Sequence, residues 1–303
     1  MFPANNPHLP QVRLVVRLLR HVADEPAFAL KGGTAINLFL RDLPRLSVDI
    51  DLTWLPVQER EASLAGIAAA LRAVARRAGE ALPGIRVRTQ EAARGKLVAE
   101  QERARVTLEV NTVLRGSVYP AERRAATPAV EQMFGDVEAQ MLSFEDLYAG
   151  KVVAALDRQH PRDLFDVKLL LEAEGISDKL FRAFLVYLIG HDGSLARVVN
   201  PAPKPLKELF ERQFAQMTAE PVTLYALEQA RADLLAALHE RFGDREKEFL
   251  LSFKRGEPRW DLLGVTHAPD LPAVRWKLRN LDRLGAARRR EAVVELERVL
   301  ANL

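Results

Sequence analysis

The sequence predicts an α+β protein: a mixed β-sheet flanked by helices, followed by an all-helical domain. Two observations lead there. As far as about Thr127, short apolar runs of strand length alternate with segments of helical spacing. From Ser143 onward helix follows helix, with no convincing strand and no internal repeat. The 303 residues make two domains or one large one. The change of texture sets the expected division at 1–135 for the α/β core and 136–303 for the helical domain.

Within the first domain, residues 11–23 have helical spacing. Val12, Val15, Val16, Leu19 and Val22 are apolar, with Arg13, Arg17 and Arg20 between them, and Pro26 ends the helix. Residues 28–30 read as a short strand and Gly32-Gly33 as the turn after it. Thr34 suits the N-cap of a helix over 35–40. A second strand is expected over 46–52. Residues 59–81, rich in Ala, Leu, Arg and Glu, read as a long helix stopped by Pro83-Gly84. Three further strands fall at 85–89, 96–99 and 105–112.

In the second domain, Ser143-Phe144-Glu145-Asp146 resembles a capping box and opens a helix running to about Arg158. Pro161 breaks it, and a second helix runs from Arg162 to near Gly175. His160 reads as a loop residue. More helices are expected over 178–190, 204–215, 221–241, 244–253 and 284–302, with 200–205 as a stiff proline-rich connector.

Composition narrows the function classes. The chain is 48% hydrophobic and 28% charged, as a globular protein should be. It has no cysteine, which excludes disulfides and thiolate metal sites, and the reducing cytoplasm is the expected compartment. Arginines interrupt the N-terminal apolar run, so no signal peptide is expected. No stretch approaches the roughly 20 apolar residues of a membrane span. A net charge of +3 with a pI near 9.2 permits an anionic partner. The six histidines lack zinc-ligand spacing, and no P-loop, dinucleotide fingerprint or nucleophile elbow occurs.

The chemistry concentrates at Lys31-Gly32-Gly33-Thr34 and at Asp49-Ile50-Asp51. Alternate strand residues face the same way, so Asp49 and Asp51 project together while Val48, Ile50 and Leu52 turn to the buried side. Two parallel carboxylates suit a hard cation such as Mg²⁺ or Mn²⁺, and a glycine turn offers backbone N–H groups to a phosphate. Carboxylates buried between apolar neighbours would need such a cation to offset their desolvation. Glu109, the acid of the alternating run Val106–Val110, is either a third carboxylate beside the pair or a strand glutamate facing water.

In the helical half, Lys151 and Arg158 lie about two turns apart on a shared face. Lys151 is either a solvated helix lysine or a cation for triphosphate oxygens. Asp163 and Asp166 share a face of the next helix; composition alone accounts for Asp163 by charge matching at the helix N-terminus and for Asp166 by an i, i+4 ion pair with Arg162. The stretch 275–290 holds Arg275, Lys277, Arg279, Arg283, Arg288, Arg289 and Arg290 against the single acid Asp282, with Trp276 among them. It is either a solvated helix face or a track for a phosphate backbone.

The run Lys31-Gly32-Gly33-Thr34-Ala35, Arg45-x-Ser47-x-Asp49-Ile50-Asp51-Leu52 and Lys151-x₃-Ala155-x₂-Arg158-x₃-Arg162-Asp163-x₂-Asp166 resembles the AbiEii/AbiGii nucleotidyltransferase toxins, within the DNA polymerase β-like superfamily. Gly256-Glu257-Pro258-x-Trp260-x-Leu262-Leu263 adds to the likeness, which covers most of 28–263. The resemblance implies a nucleotidyltransferase-type core with a helical domain completing a nucleotide cleft. Gly32, Gly33, Thr34 and Ser47 would line the phosphates. Asp49 and Asp51 would hold Mg²⁺, with Glu109 as third acid. Lys151, with Arg158 nearby, would bind the triphosphate, and Asp163 and Asp166 would build the cleft's helical wall. It also implies an NTP substrate, a tRNA 3′ end as RNA acceptor and an antitoxin encoded by a neighbouring gene. Two other readings remain: transfer to a protein or small-molecule hydroxyl, and a nucleic-acid-binding module without chemistry.

Overall fold

The computed structural model describes residues 2–303. The chain divides into two compact units. The first is the segment up to Ser143 together with Gln213–Val222, and the second is Phe144–Arg212 with Thr223–Leu303.

The first unit contains α1 (Leu9–Val22), β1 (Phe28–Lys31), α2 (Gly32–Ala35, widening into a π-type turn over Ile36–Leu40), β2 (Ile50–Trp54), α3 (Arg60–Ala81), β3 (Arg86–Arg88), β4 (Lys96–Gln101), β5 (Ala104–Asn111), β6 (Glu122–Ala125), α4 (Pro128–Phe134) and β7 (Glu138–Met141). The seven strands form one sheet in the order β3-β4-β5-β2-β1-β7-β6. It is mixed, as expected: β2 runs parallel to β5 and β1 to β7, and the other neighbours are antiparallel.

Apolar periodicity decides which face is covered. Phe28, Leu30, Ile50, Leu52, Trp54, Val106, Leu108 and Val110 are buried. Cross-strand register and alternation put them on one side of the sheet. The valines of α1, with Leu19, are buried as their spacing requires, and α1 packs on β5 and β7. Trp54 meets Phe28 edge-on, with centroids 5.5 Å apart. The indole also lies so close to Gly66 of α3 that a Cβ there would come within 2.7 Å of the ring. The covered face is therefore a helix-on-sheet core, and the opposite face carries Lys31, Asp51, Thr53 and Glu109 beside Ala29.

Two strands escape the sequence reading. β6 (Glu-Arg-Arg-Ala) is a charged sheet edge, a composition that blunts unwanted pairing and hides the strand from apolar patterning. β7 (Glu-Ala-Gln-Met) is short and joins the sheet beside Leu30 of β1. Since β7 lies beyond residue 135, the first unit extends to Ser143, and Gln213–Val222 returns to it from far along the chain. β2 begins at Ile50, so Asp49 immediately precedes the strand.

The second unit consists of α5 (Phe144–Asp157), α6 (Pro161–Ala173), α7 (Asp178–Gly190), α8 (Leu195–Val199), α9 (Lys207–Gln213, whose last residue begins the returning segment), α10 (Leu224–His239), α11 (Asp244–Arg255), α12 (Trp260–Leu263), α13 (Pro272–Arg283) and α14 (Ala286–Ala301). α5 packs against α6 and α7, and α10 against α6. Gly150 admits the Tyr187 ring, which a Cβ would meet at 3.3 Å. The Tyr187 hydroxyl donates to Asp146 Oδ1 at 3.0 Å, and burial pushes its pKa up. His160, expected in a loop, caps α6, its Nδ1 accepting from the Arg162 N–H. Gln159 is buried and holds the proline-rich connector through Ala202 O and Lys204 N. Helix α13 takes up the helical reading of 275–283, but it is not wholly solvated: Ala273, Val274 and Leu281 form a thin buried stripe. Among the described residues no helix is long and apolar enough to cross a membrane.

Candidate active site

The sequence-predicted residues fall into two clusters, one within each unit. In the first, Asp51 stands opposite Lys31 on β1 and Glu109 on β5, and Glu109 stands opposite Lys96 on β4. Residues directly opposite across a ladder share a face, with Cβ atoms about 5 Å apart. Lys31, Asp51, Glu109 and Lys96 thus form a row of alternating charge on the face opposite the helix-on-sheet core. Asp49 is exposed, Asp51 half-buried and Glu109 exposed. The carboxylates are therefore open to solvent rather than buried between apolar neighbours. Ile50 and Leu52 point into the core as expected, while Val48 is only half-buried.

The glycine turn closes over this row. Gly32 has φ +71°, a conformation that a Cβ disfavours, and a Cβ there would lie 2.7 Å from Asp51 Oδ2. Gly33 is constrained by contact alone: its Cβ would come within 2.5 Å of Arg45 Nη2 and 3.1 Å of Ser47 Oγ. Asn37 Nδ2 donates to the Gly33 carbonyl at 2.9 Å. Thr34 lies inside α2 instead of capping it. Its hydroxyl donates to the Asp49 carbonyl and lies 2.9 Å from Ser47 Oγ. A hydroxyl has one proton to give, so Ser47 supplies the proton of the second contact. Glycine turn, Ser47 and Asp49 are in this way tied into one piece.

Gly32→Ala is expected to reduce activity about a hundredfold, because the new methyl must displace the Asp51 carboxylate. The left-handed backbone adds a stability cost of about 1–2 kcal/mol. Initial rates and thermal unfolding measured side by side check this.

Two features of this cluster were not assigned a role from sequence. Arg45 is buried, and its Nη1 donates to the Leu46 carbonyl at 2.9 Å. Its only signal is its place two residues before Ser47. The returning segment also pairs here: Leu46 N–H donates to Met217 O, Ala219 N–H to Pro44 O, and Phe214 and Met217 are buried. A contact so distant in sequence leaves no local pattern.

In the second cluster, Lys151 on α5 is 6% exposed, while Asp163 and Asp166 on α6 are fully buried. Lys151 Nζ lies 2.8 Å from Asp163 Oδ1 and 3.0 Å from Asp166 Oδ2. The largely exposed Arg158 donates to Asp163 from both Nε and Nη2. Burial alone would raise the Asp163 pKa. The Lys151 charge and the Arg158 hydrogen bonds overcome it and hold the carboxyl well below the usual range.

Among the described residues no three His, Asp or Glu side chains form a ready-made metal cage. The donor set nevertheless fits Mg²⁺, which binds through one or two carboxylates and completes its shell with water and substrate phosphate oxygens. Asp49 and Asp51, exposed and half-buried beside the glycine turn, are the pair that would hold it.

An open acid pair beside a glycine turn, on a mixed sheet, is the arrangement of a nucleotidyltransferase. Known proteins give the same class. Residues 13–280 match the family model described as nucleotidyl transferase AbiEii toxin, type IV TA system. The chain belongs to this AbiEii family of nucleotidyltransferase toxins. Its fold is similar to that of MenT4, a nucleotidyltransferase toxin from Mycobacterium tuberculosis H37Rv, with a TM-score of 0.63 at 16% identity over 92% of this chain and 95% of that one. No curated protein matches significantly.

Proposed function

We propose that the protein transfers a nucleoside monophosphate from an NTP to an RNA hydroxyl, at a tRNA 3′ end, releasing pyrophosphate. The observation that supports this best is the close approach of the Asp51 carboxylate to Gly32, which sets the backbone of a glycine turn beside a carboxylate pair. The first N–H groups of α2 lack partners within the helix and suit phosphate oxygens. Ser47, tied to Thr34, stands at the same turn. Asp49 and Asp51, with Glu109 as third acid, would hold Mg²⁺ (or Mn²⁺), which would neutralise phosphate charge when bound.

In the reaction the RNA hydroxyl oxygen forms a bond to the α-phosphorus as the bond from that phosphorus to the pyrophosphate oxygen breaks. Glu109, in register with Asp51, accepts the hydroxyl proton. Membership of a type IV toxin–antitoxin family brings an antitoxin as partner. We place its gene beside this one.

The test incubates the purified protein and Mg²⁺ with each α-³²P-labelled NTP, separately with bulk tRNA, total protein and an aminoglycoside. Label on tRNA, released by ribonuclease, is the expected result. Label confined to protein or antibiotic would overturn the RNA acceptor and leave nucleotidyl transfer intact.

A further inference from the structure

We propose that the exposed corner of α13 and α14 is an RNA-holding surface, where Arg275, Arg279 and Arg283 take backbone phosphates and Trp276 stacks on an unpaired base. This rests on RNA being the acceptor and says where the protein grips it. At about 100° per residue, these four residues fall within an arc of about 100° on α13. The opposite side of the helix carries Ala273, Val274 and Leu281, all buried. Lys277 lies on that inner side and donates to the carbonyls of His191, Asp192 and Gly193 at 2.7, 3.1 and 3.0 Å. The helix is therefore anchored from within, and its arginine face is left outward.

Those arginines are not occupied in holding the fold. Among the described residues Arg279, Arg283, Arg288 and Arg290 make no ion pair. Arg275 pairs with Asp270 at 2.7 Å, but both side chains are half exposed or more, so the pair is weak and exchangeable. Arg288 and Arg290 sit near the start of α14, whose first turn has no acid. Cations there oppose the helix dipole, so their placement does not serve the stability of the helix. Arg289 turns inward and donates to Leu281 O, joining the start of α14 to α13.

Trp276 is 48% exposed amid this charge. A protein interface also uses Arg and Trp, but centres them in a packed apolar patch, whereas here the arginines are exposed and Trp276 is the one large exposed apolar side chain among them. A membrane-surface helix needs a broad apolar face between its basic flanks, which a single tryptophan does not make. Cations in a row with one accessible indole match a nucleic-acid strand, which offers a phosphate backbone and flat bases together.

The experiment compares the full chain, Arg279→Ala/Arg283→Ala and Trp276→Ala for binding of fluorescently labelled bulk tRNA between 50 and 300 mM salt. NTP affinity and thermal unfolding are measured alongside. The double variant is expected to bind tRNA at least tenfold more weakly. The slope of log affinity against log salt should fall by about 1.5, a change that a purely structural role would not produce. Trp276→Ala is expected to lose about fivefold or more with the slope unchanged. NTP affinity and melting should stay as in the parent. If the parent labels tRNA and the variants bind it equally well, this surface is wrong and the RNA acceptor stands. If the parent neither binds nor labels tRNA, the acceptor reading fails and the surface with it.

Discussion

Asp51→Asn is expected to lower nucleotidyl transfer by at least about a thousandfold and to leave the melting temperature within about 2 °C of the parent. Asparagine keeps the shape of the side chain beneath Gly32, so the turn is not displaced. What is lost is one negative charge at the centre of the row between Lys31 and Glu109. Metal binding and phosphate neutralisation contribute several kcal/mol to a transition state of this kind. About 4 kcal/mol corresponds to a factor of about a thousand. Stability changes little because Asp51 is only half-buried and no core contact is removed. Asp49→Asn should behave alike, and the double variant should be little worse than either, because ligands of one ion act as a unit. Transfer of label from α-³²P-NTP measures all three. Parent-like turnover by the double variant would remove this site from consideration. Toxicity without turnover would instead point to a binding module that acts without chemistry.

The site's chemistry was more legible in the sequence than the walls that hold it. Gly32-Gly33 and Asp49-x-Asp51 could be read because a turn and an alternating strand are local patterns, and their geometry depends on neighbours two or three residues away. The register that sets Glu109 beside Asp51 is not local, and the expectation drew on the alternation within its own strand. Lys31 and Arg45 showed only as motif neighbours of Gly32 and Ser47, and Lys96 carried no signal, since the places of Lys31 and Lys96 in the row depend on strands paired across the sheet. The returning segment Gln213–Val222 was beyond reach for the same reason: its pairing with Pro44–Leu46 spans most of the chain. β6 and β7 were missed because a charged edge strand and a four-residue strand show no apolar period. The basic stretch 275–290 was legible as a helix face, but its seven basic residues hid the buried apolar stripe that anchors α13. For Lys151, Asp163 and Asp166, sequence left a choice between solvated charges and functional ones. The structure shows a third arrangement, a buried network joining two helices.

That network leads to the second large effect. Lys151→Met is expected to cost the helical unit about 3–5 kcal/mol, because it leaves Asp163 and Asp166 buried without their ammonium. At the usual slope for a unit of this size, melting should fall by about 10 °C. A lysine serving only a triphosphate would behave differently, losing activity with melting unchanged. The triple variant Lys151→Met/Asp163→Leu/Asp166→Leu separates the roles. Replacing a whole buried ion cluster by apolar side chains is close to neutral, and Arg158 is exposed enough to turn into solvent. The triple variant should therefore regain most of the lost melting temperature. Activity that returned with it would make the network scaffolding, whereas parent-like melting without activity would show that the lysine or its acids also act on substrate. The pH dependence has a definite sign. Asp163 is held below its unfolded pKa of about 3.9, so its contribution is complete above that value and is lost as pH falls beneath it. Melting of the parent should be flat from about pH 5 to pH 8 with respect to this group and should drop below about pH 4. In the triple variant, which has no Asp163 to protonate, that part of the acid loss should be absent.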